Sequence, residues 1–295
     1  MNDAIQAMLE RYSCKNSEDY EKALKEVVQE VALMGLSRSN FFSFAAFYGG
    51  TALRIFYGLP RFSEDLDFSL MTPDVVFDFK KYLPFVEKEL TAYGFQMAVL
   101  KKTKTKESMI QSAFIKGNTF QNILEITSDQ SATFGLNPHS TIKIKLEIDT
   151  DPPQGADFQY VNAILPDNYR VRLYDLPSLF SGKIHAVLCR DFKFRVKGRD
   201  YYDYLWYLKR GTRVNLWHLQ KRMEQSSKWE SGQILDLNAL KGMLKLRFHQ
   251  VDFELARRDV SPFLKAKDKE GLKLWDASFF TDVTERYLQS TQEKS

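Results

Sequence analysis

Residues 47–70 read Phe47-Tyr-Gly-Gly-Thr-Ala-Leu-Arg-Ile-Phe-Tyr-Gly-Leu-Pro-Arg-Phe-Ser-Glu-Asp-Leu-Asp-Phe-Ser-Leu70, and the predicted fold is built around them. Asp65 and Asp67 are separated by one leucine, a spacing that in a β-strand puts both carboxylates on one face. Upstream, the glycine pair at 49–50 opens a run predicted as a short helix over 51–57, and the free N–H groups at such a helix start favour phosphate. A phosphate-binding turn and a carboxylate pair therefore lie in one supersecondary unit.

The carboxylate pair indicates a metal site. Two carboxylates about 5 Å apart repel by roughly 3 kcal/mol at an effective dielectric constant near 20, so a partly buried pair favours a cation between them. Magnesium suits this position, because it takes one or two carboxylates and completes its shell with water and phosphate oxygens. The alternative is an amphipathic edge strand with solvated acids. The upstream glycines favour the metal interpretation.

Bulk composition is typical of a globular protein. The chain has 295 residues, of which 44% are hydrophobic and 27% charged, with a net charge of +4. Its two cysteines, Cys14 and Cys189, exclude a disulfide framework or a cysteine-rich zinc site and fit a reducing cytoplasm. The amino terminus has acids and no apolar run, and no window approaches eighteen apolar residues, so we expect neither a signal peptide nor a membrane span.

Hydrophobic spacing predicts the elements around this stretch. Residue Gly35 is a plausible helix stop, residues 41–48 could be helix or buried strand, and Pro84 should kink or split the helix in which it lies. The predicted helices are 3–12, 17–34 and 73–93, the predicted strands are 95–101 and 109–116, and the segment 119–127 is ambiguous. Between the two strands, the basic run Lys101–Lys106 is either a solvated loop or a contact for nucleic-acid phosphates.

The clearest strand pattern is Thr141-Ile-Lys-Ile-Lys-Leu-Glu-Ile-Asp149, in which aliphatic and charged residues alternate. One face is therefore buried. The other face is either a charge ladder of little energetic weight or the source of a third carboxylate, from Glu147 or Asp149, beside the Asp65/Asp67 pair.

The second half of the chain is predicted to be helical. Segments 160–165 and 170–174 indicate a last antiparallel pair, and from Leu176 the pattern changes to helix, with further helices around 214–225, 236–256 and 273–289. We place a domain boundary near residue 175, giving domains 1–175 and 176–295. The predicted class is α+β, with a mixed sheet followed by an α-helical domain.

The order of these motifs resembles the DNA polymerase β type nucleotidyltransferase superfamily. Its core motif is Gly-Gly or Gly-Ser, a spacer, then Asp-hydrophobic-Asp. Here Gly50-Thr51 takes the first place, thirteen residues intervene, and Asp65-Leu66-Asp67 closes the motif. Thr51 replaces the commoner serine and keeps a hydroxyl.

Within that superfamily the chain is similar to the AbiEii toxins of bacterial type IV toxin–antitoxin pairs. The matching motifs are GGTALR, RFSEDLDF, KLEID, SGKIHAVLCR and KGRDYYDYLWYL, in that order from about Phe44 to Leu208. The resemblance implies a polymerase β-like nucleotidyltransferase domain with N-terminal helices and a helical C-terminal domain that completes the active-site cleft.

The resemblance also implies roles for individual residues. The implied metal ligands are Asp65, Asp67 and Glu147, with Asp149 as the alternative third carboxylate. The implied nucleotide-binding residues are Gly49, Gly50, Thr51, Arg61, Ser63 and Lys183. The implied catalytic set is Asp65, Asp67, Glu147, Asp149, Lys183 and Asp200.

The charged residues outside the carboxylate strands also have simpler explanations. Lys183 could be an exposed lysine, and Asp200 with Asp203 could belong to a surface charge cluster. Arg61 could touch phosphate or pair with an acid, and so could Arg190.

The function implied is transfer of a nucleoside monophosphate from a nucleoside triphosphate to an acceptor, with Mg²⁺ or Mn²⁺ as cofactor. The acceptor implied is RNA, most plausibly the 3′ end of tRNA, in a cytoplasmic toxin with a cognate antitoxin and no membrane partner. The alternatives are a nucleotidyltransferase acting on a protein or an antibiotic-type small molecule, and a non-catalytic module that binds nucleotide or antitoxin.

Overall fold

The structure, a computed structural model, describes residues 3–102, 109–119, 121–122, 138–191 and 196–291. Most of the basic run at 101–106 and of the ambiguous segment at 119–127 lies outside the described residues. The chain divides into two compact units. The first comprises residues 1–52, 64–152 and 159–173, and the second comprises residues 53–63, 153–158 and 174–295. The domain boundary that we expect near residue 175 stays a prediction.

The described residues of the first unit form a mixed sheet of seven strands. They are β1 Ala45–Tyr48, β2 Leu66–Leu70, β3 Met97–Lys102, β4 Ile110–Asn118, β5 Thr141–Asp149, β6 Phe158–Ala163 and β7 Tyr169–Tyr174. Their order in the sheet is β3-β4-β5-β2-β1-β7-β6. Strand β2 runs antiparallel to β1 and parallel to β5, and β1 runs parallel to β7.

The two faces of this sheet differ as the alternating pattern predicts. The four aliphatic side chains of β5 and the Leu66 and Phe68 side chains of β2 are wholly buried. The intervening charged residues point to the opposite, polar face. Phe41 packs edge-on against Phe68, with ring centroids 5.1 Å apart. The segment 41–48, which the sequence left open, is a 3₁₀ turn followed by strand β1.

Two predicted helix boundaries in the first unit are wrong. Helix α2, Ser17–Arg38, continues past Gly35. A Cβ atom at Gly35 would lie 2.8 Å from the Cα of Val86, so this glycine permits close approach of helix α4, Leu83–Ala92, and does not end α2. Instead of one helix over 73–93, the structure has a 3₁₀ turn at Phe79–Lys81 followed by α4. Pro84 lies in the first turn of α4, so the segment is split there, as predicted. Helix α1, Asp3–Glu10, also lies wholly in this unit.

The second unit is helical. The continuous helix expected over 236–256 is wrong, because the described chain turns at 249–252 and Asp252 caps a new helix through the backbone N–H of Leu255. The helices after β7 are α5 Leu176–Cys189, α6 Gly198–Lys209, α7 Leu216–Gln225, α8 Leu237–Phe248, α9 Phe253–Val260, α10 Ala266–Lys269 and α11 Ala277–Tyr287. Helix α3, Gly49–Tyr57, begins in the first unit and ends in the second.

Aromatic packing holds the second unit together. Phe280 of α11 is wholly buried and its ring stacks on Phe253 with centroids 4.8 Å apart. Phe248 and Trp275 meet the same ring at 5.2 and 5.4 Å. No helix among the described residues has the length and apolar character needed to cross a bilayer.

One buried histidine gives this unit a pH dependence. His218 of α7 is wholly buried, and its Nδ1–H donates to the carbonyl oxygen of Gln154 at 2.8 Å. Burial, with the charge of Arg222, lowers the pKa of His218 to about 4. The unfolded chain binds this proton near pH 6.5, so stability is fully present above pH 6.5 and falls as the pH drops toward 4. The loss is about 3 kcal/mol at 1.36 kcal/mol for each pKa unit.

We therefore expect His218→Gln to reduce the fall in unfolding free energy between pH 6.5 and 4.5, measured by urea titration. The part that remains includes the contribution of His185, whose pKa burial, Arg222 and Arg190 also lower to about 4. His249→Gln, at an exposed histidine, is the matched control and should keep the wild-type pH dependence. An unchanged slope in His218→Gln would contradict this assignment.

Candidate active site

The carboxylates of the opening motif lie at the start of β2. Asp67 is half-buried on the polar face, and Asp65, just before the strand, is exposed. The parallel register pairs Asp67 with Glu147 and Ser69 with Asp149 on β5. Register partners on adjacent strands share a face and lie about 4.8 Å apart. Glu147 is therefore the strand neighbour of Asp67, and Asp149 lies two residues further along β5 on the same face.

The glycine turn contacts the second aspartate directly. Gly49 begins α3 with a φ of +83°, in the left-handed region that favours glycine. A Cβ atom there would lie 2.7 Å from Asp67 Oδ2. The backbone at the start of α3 thus lies against the Asp67 carboxylate, as a site that binds phosphate beside a metal requires.

Thr51 connects the turn to the first aspartate. Its side chain is buried, and Oγ1 donates to the carbonyl oxygen of Asp65 at 2.5 Å. The family resemblance implied that this hydroxyl binds nucleotide. In this structure it instead fixes the backbone that carries Asp65.

The two candidates for the third carboxylate have different surroundings. Glu147 Oε1 accepts a hydrogen bond from Ser112 at 3.0 Å, and Oε2 pairs with Lys145 at 2.7 Å. Asp149 Oδ1 accepts from the backbone N–H of Asp151 at 3.0 Å. Ser112 lies on β4 opposite Glu147, and no motif in the sequence indicated it.

These residues offer hard oxygen ligands of the kind that Mg²⁺ and Mn²⁺ take. Among the described residues, however, no three acidic, histidine or cysteine side chains gather into a metal-binding group. Asp65 and Asp67 fit the first shell of such an ion by chemistry and spacing. Glu147 can bind such an ion only if its carboxylate gives up its contact with Lys145 or with Ser112. Its role as a metal ligand therefore stays a prediction.

The motif residues of the helical half form a buried ion network in the second unit. Lys183 Nζ contacts Asp200 at 2.7 Å and Asp203 at 2.8 Å. Arg61 donates two hydrogen bonds to the Asp203 carboxylate, from Nε and Nη2, both at 2.6 Å. Arg190 contacts Asp200 at 3.0 Å. The side chains of Asp203 and Arg61 are 0% and 4% exposed. Asp200 and Asp203 are therefore not a surface cluster.

Opposite charges dominate the titration of this network. Burial alone would raise the pKa of Asp203, but Arg61 and Lys183 together lower that pKa below its ordinary value. Burial would lower the pKa of Lys183, and the two aspartates instead raise it. Arg61, whose pKa the two aspartates also raise, therefore stays charged at neutral pH together with Lys183 and Asp203.

Arg61 and Ser63 both belong to the second unit, and Ser63 is buried. Of the two roles left open for Arg61, the structure shows the pairing with an acid, and contact with phosphate stays a prediction. The same holds for Arg190, which pairs with Asp200. The catalytic roles of Lys183 and Asp200 also remain predictions.

The family to which the chain belongs follows from a match to a family model. Residues 31–280 match the family model described as nucleotidyl transferase AbiEii toxin, type IV toxin–antitoxin system. The match covers most of the chain, so the protein belongs to the AbiEii nucleotidyltransferase toxin family.

Comparisons with solved structures and with curated proteins do not contribute to this family assignment. The Helicobacter pylori protein JHP933 is 18% identical with a TM-score of 0.47, over 90% of this chain and 91% of its own. A second H. pylori structure, described provisionally as a nucleotidyltransferase, is 17% identical with a TM-score of 0.45, over 88% and 91%. Neither TM-score reaches 0.5, so the family assignment rests on the family match. No curated protein matches the chain.

Proposed function

We propose that the protein transfers a nucleoside monophosphate from a nucleoside triphosphate to a hydroxyl of RNA, namely the 3′ end of tRNA. The observation that carries the proposal is the contact of the Gly49 turn with Asp67, whose strand neighbour is Glu147. The residues that we propose to bind phosphate therefore lie next to those that we propose to bind a divalent cation.

In the proposed reaction the acceptor hydroxyl attacks the α-phosphorus and pyrophosphate leaves. The free N–H groups at the start of α3 bind the triphosphate, and Glu147 or Asp149 takes the proton of the attacking hydroxyl. Asp65 and Asp67 would hold Mg²⁺ or Mn²⁺, and the ion would supply positive charge to neutralise the phosphates. Modified tRNA would not be aminoacylated, which would arrest growth until a cognate antitoxin acts.

The test is transfer of label from α-³²P nucleoside triphosphates, with Mg²⁺ or Mn²⁺, to separate pools of tRNA, other RNA, protein and small molecules. We expect label in the tRNA pool. Label in protein or in a drug adduct would instead establish a nucleotidyltransferase with a different acceptor. No label in any pool, together with thermal stabilisation by nucleotide, would indicate a non-catalytic binding module and refute the proposal.

A further inference from the structure

The polar face of the sheet carries a second feature, away from the carboxylates. Tyr160 lies on the edge strand β6, and the neighbouring strand β7 presents Arg170 and Arg172 to its ring. The guanidinium carbons lie 4.0 Å and 4.7 Å from the ring centroid. Arg172 also donates to the hydroxyl of Tyr160. Two cations are therefore stacked around one aromatic ring.

The feature continues onto the adjoining strand ends. Arg172 donates to the carbonyl oxygen of Ser43 at 3.1 Å and contacts the sulfur of Met71. The backbone N–H of Met71 donates to the carbonyl oxygen of Phe44. Phe44, Met71 and Tyr160 are 53%, 37% and 44% exposed, and Arg170 is exposed. We call Phe44, Met71, Tyr160, Arg170 and Arg172 the Tyr160 patch.

Neither arginine of the Tyr160 patch has an acidic partner among the described residues. Elsewhere in the same unit, Arg11 pairs with Glu30, and Arg38 pairs with both Glu89 and Asp167. Arg170 and Arg172 instead contact an aromatic ring, a hydroxyl, a carbonyl oxygen and a thioether. Their positive charge is therefore available to an anion from outside the chain.

The sheet register puts the Tyr160 patch on the face that holds the carboxylates. Leu173 pairs with Phe47 on β1, and both are buried, so Arg172 and Tyr48 point to the opposite face. Tyr48 in turn is the register partner of Asp67. A ligand lying along this face can reach the carboxylates and the Tyr160 patch together.

We infer that the Tyr160 patch binds single-stranded RNA, and, since this rests on the proposed function, that it holds the strand of the acceptor. Unpaired bases stack on aromatic rings and on guanidinium planes, and arginines neutralise the phosphates between them. Exposed Phe44 and Met71 extend the apolar surface available to bases. Two uncompensated cations with aromatic and apolar neighbours suit a flexible polyanion with planar groups.

The test measures binding of the full-length protein to a fluorescein-labelled, unstructured 12-nucleotide RNA by fluorescence anisotropy, without nucleotide or metal. We expect Arg170→Ala/Arg172→Ala to raise Kd about tenfold or more at low salt. The slope of log K against log salt should fall by about 1.4, because each phosphate contact with a single strand contributes about 0.7. Tyr160→Ala should weaken binding severalfold, whereas Tyr160→Phe should retain it.

The matched control is Arg258→Ala/Arg286→Ala, which removes the same charge from two exposed arginines that each pair within their own helix. Thermal unfolding checks that each variant is folded, and the single variants Arg170→Gln and Tyr160→Ala carry the test if the double variant is not. RNA affinity equal to that of the control would overturn the inference. Because the assay needs no turnover, either result is independent of whether the wild-type protein transfers nucleotide.

Discussion

Replacing Asp67 by asparagine is expected to reduce nucleotide transfer by about a thousandfold or more while leaving the protein folded. The side chain keeps its shape but loses the charge that holds a divalent cation against the triphosphate, and electrostatic stabilisation is commonly the largest single contribution to such catalysis. Asp67 lies where the Gly49 backbone and Glu147 both approach it. Transfer is measured as label from α-³²P nucleoside triphosphate in acid-insoluble RNA.

The stability of the Asp67→Asn variant separates catalysis from folding. Removing one of two neighbouring carboxylates relieves repulsion, so its unfolding temperature should be unchanged or raised. Asp282→Asn, at an exposed aspartate paired with Arg286 on its own helix, is the matched control and should keep full activity. Wild-type activity in Asp67→Asn would refute the proposed mechanism.

Replacing Asp203 by alanine is expected to lower the unfolding free energy by about 3–5 kcal/mol, the cost of leaving a buried charge unpaired. Arg61 is almost fully buried, and its two hydrogen bonds to a side chain in this structure both go to Asp203. Lys183 loses one of its two carboxylate partners in the same change. Urea unfolding measures the difference.

Two further variants distinguish the ion pair from simple loss of packing. Asp282→Ala breaks an exposed pair and should cost less than about 1 kcal/mol. Arg61→Met/Asp203→Leu removes both charges of the buried pair and should recover much of the stability lost in Asp203→Ala. A loss below 1 kcal/mol in Asp203→Ala would contradict the buried network.

The sequence predicted the elements whose pattern is local. The alternation of Ile142, Ile144, Leu146 and Ile148 with charged residues fixes the two faces of β5. The Asp-Leu-Asp spacing likewise places Asp67 on the polar face of β2. Helix boundaries were less predictable. Gly35 looked like a helix stop in the sequence, but it is a glycine inside α2 because α4 packs closely against it, a contact that only the folded chain shows.

The sequence did not predict contacts between residues that are far apart in the chain. Arg61 and Asp203 are 142 positions apart, and nothing near either residue indicates that they meet. The register that sets Glu147 beside Asp67, and Ser112 beside Glu147, likewise depends on strand pairing across the sheet. Motif resemblance supplied the residue types of the site, and only the structure showed their partners.

The most direct test of nucleotidyl transfer compares two labels in the wild-type protein. With tRNA and a divalent cation, α-³²P nucleoside triphosphate should label the RNA and γ-³²P nucleoside triphosphate should not, because pyrophosphate leaves with the γ-phosphate. Label from the γ-position in RNA would show transfer of a phosphoryl group, and it would contradict the assignment of this site to nucleotidyl transfer.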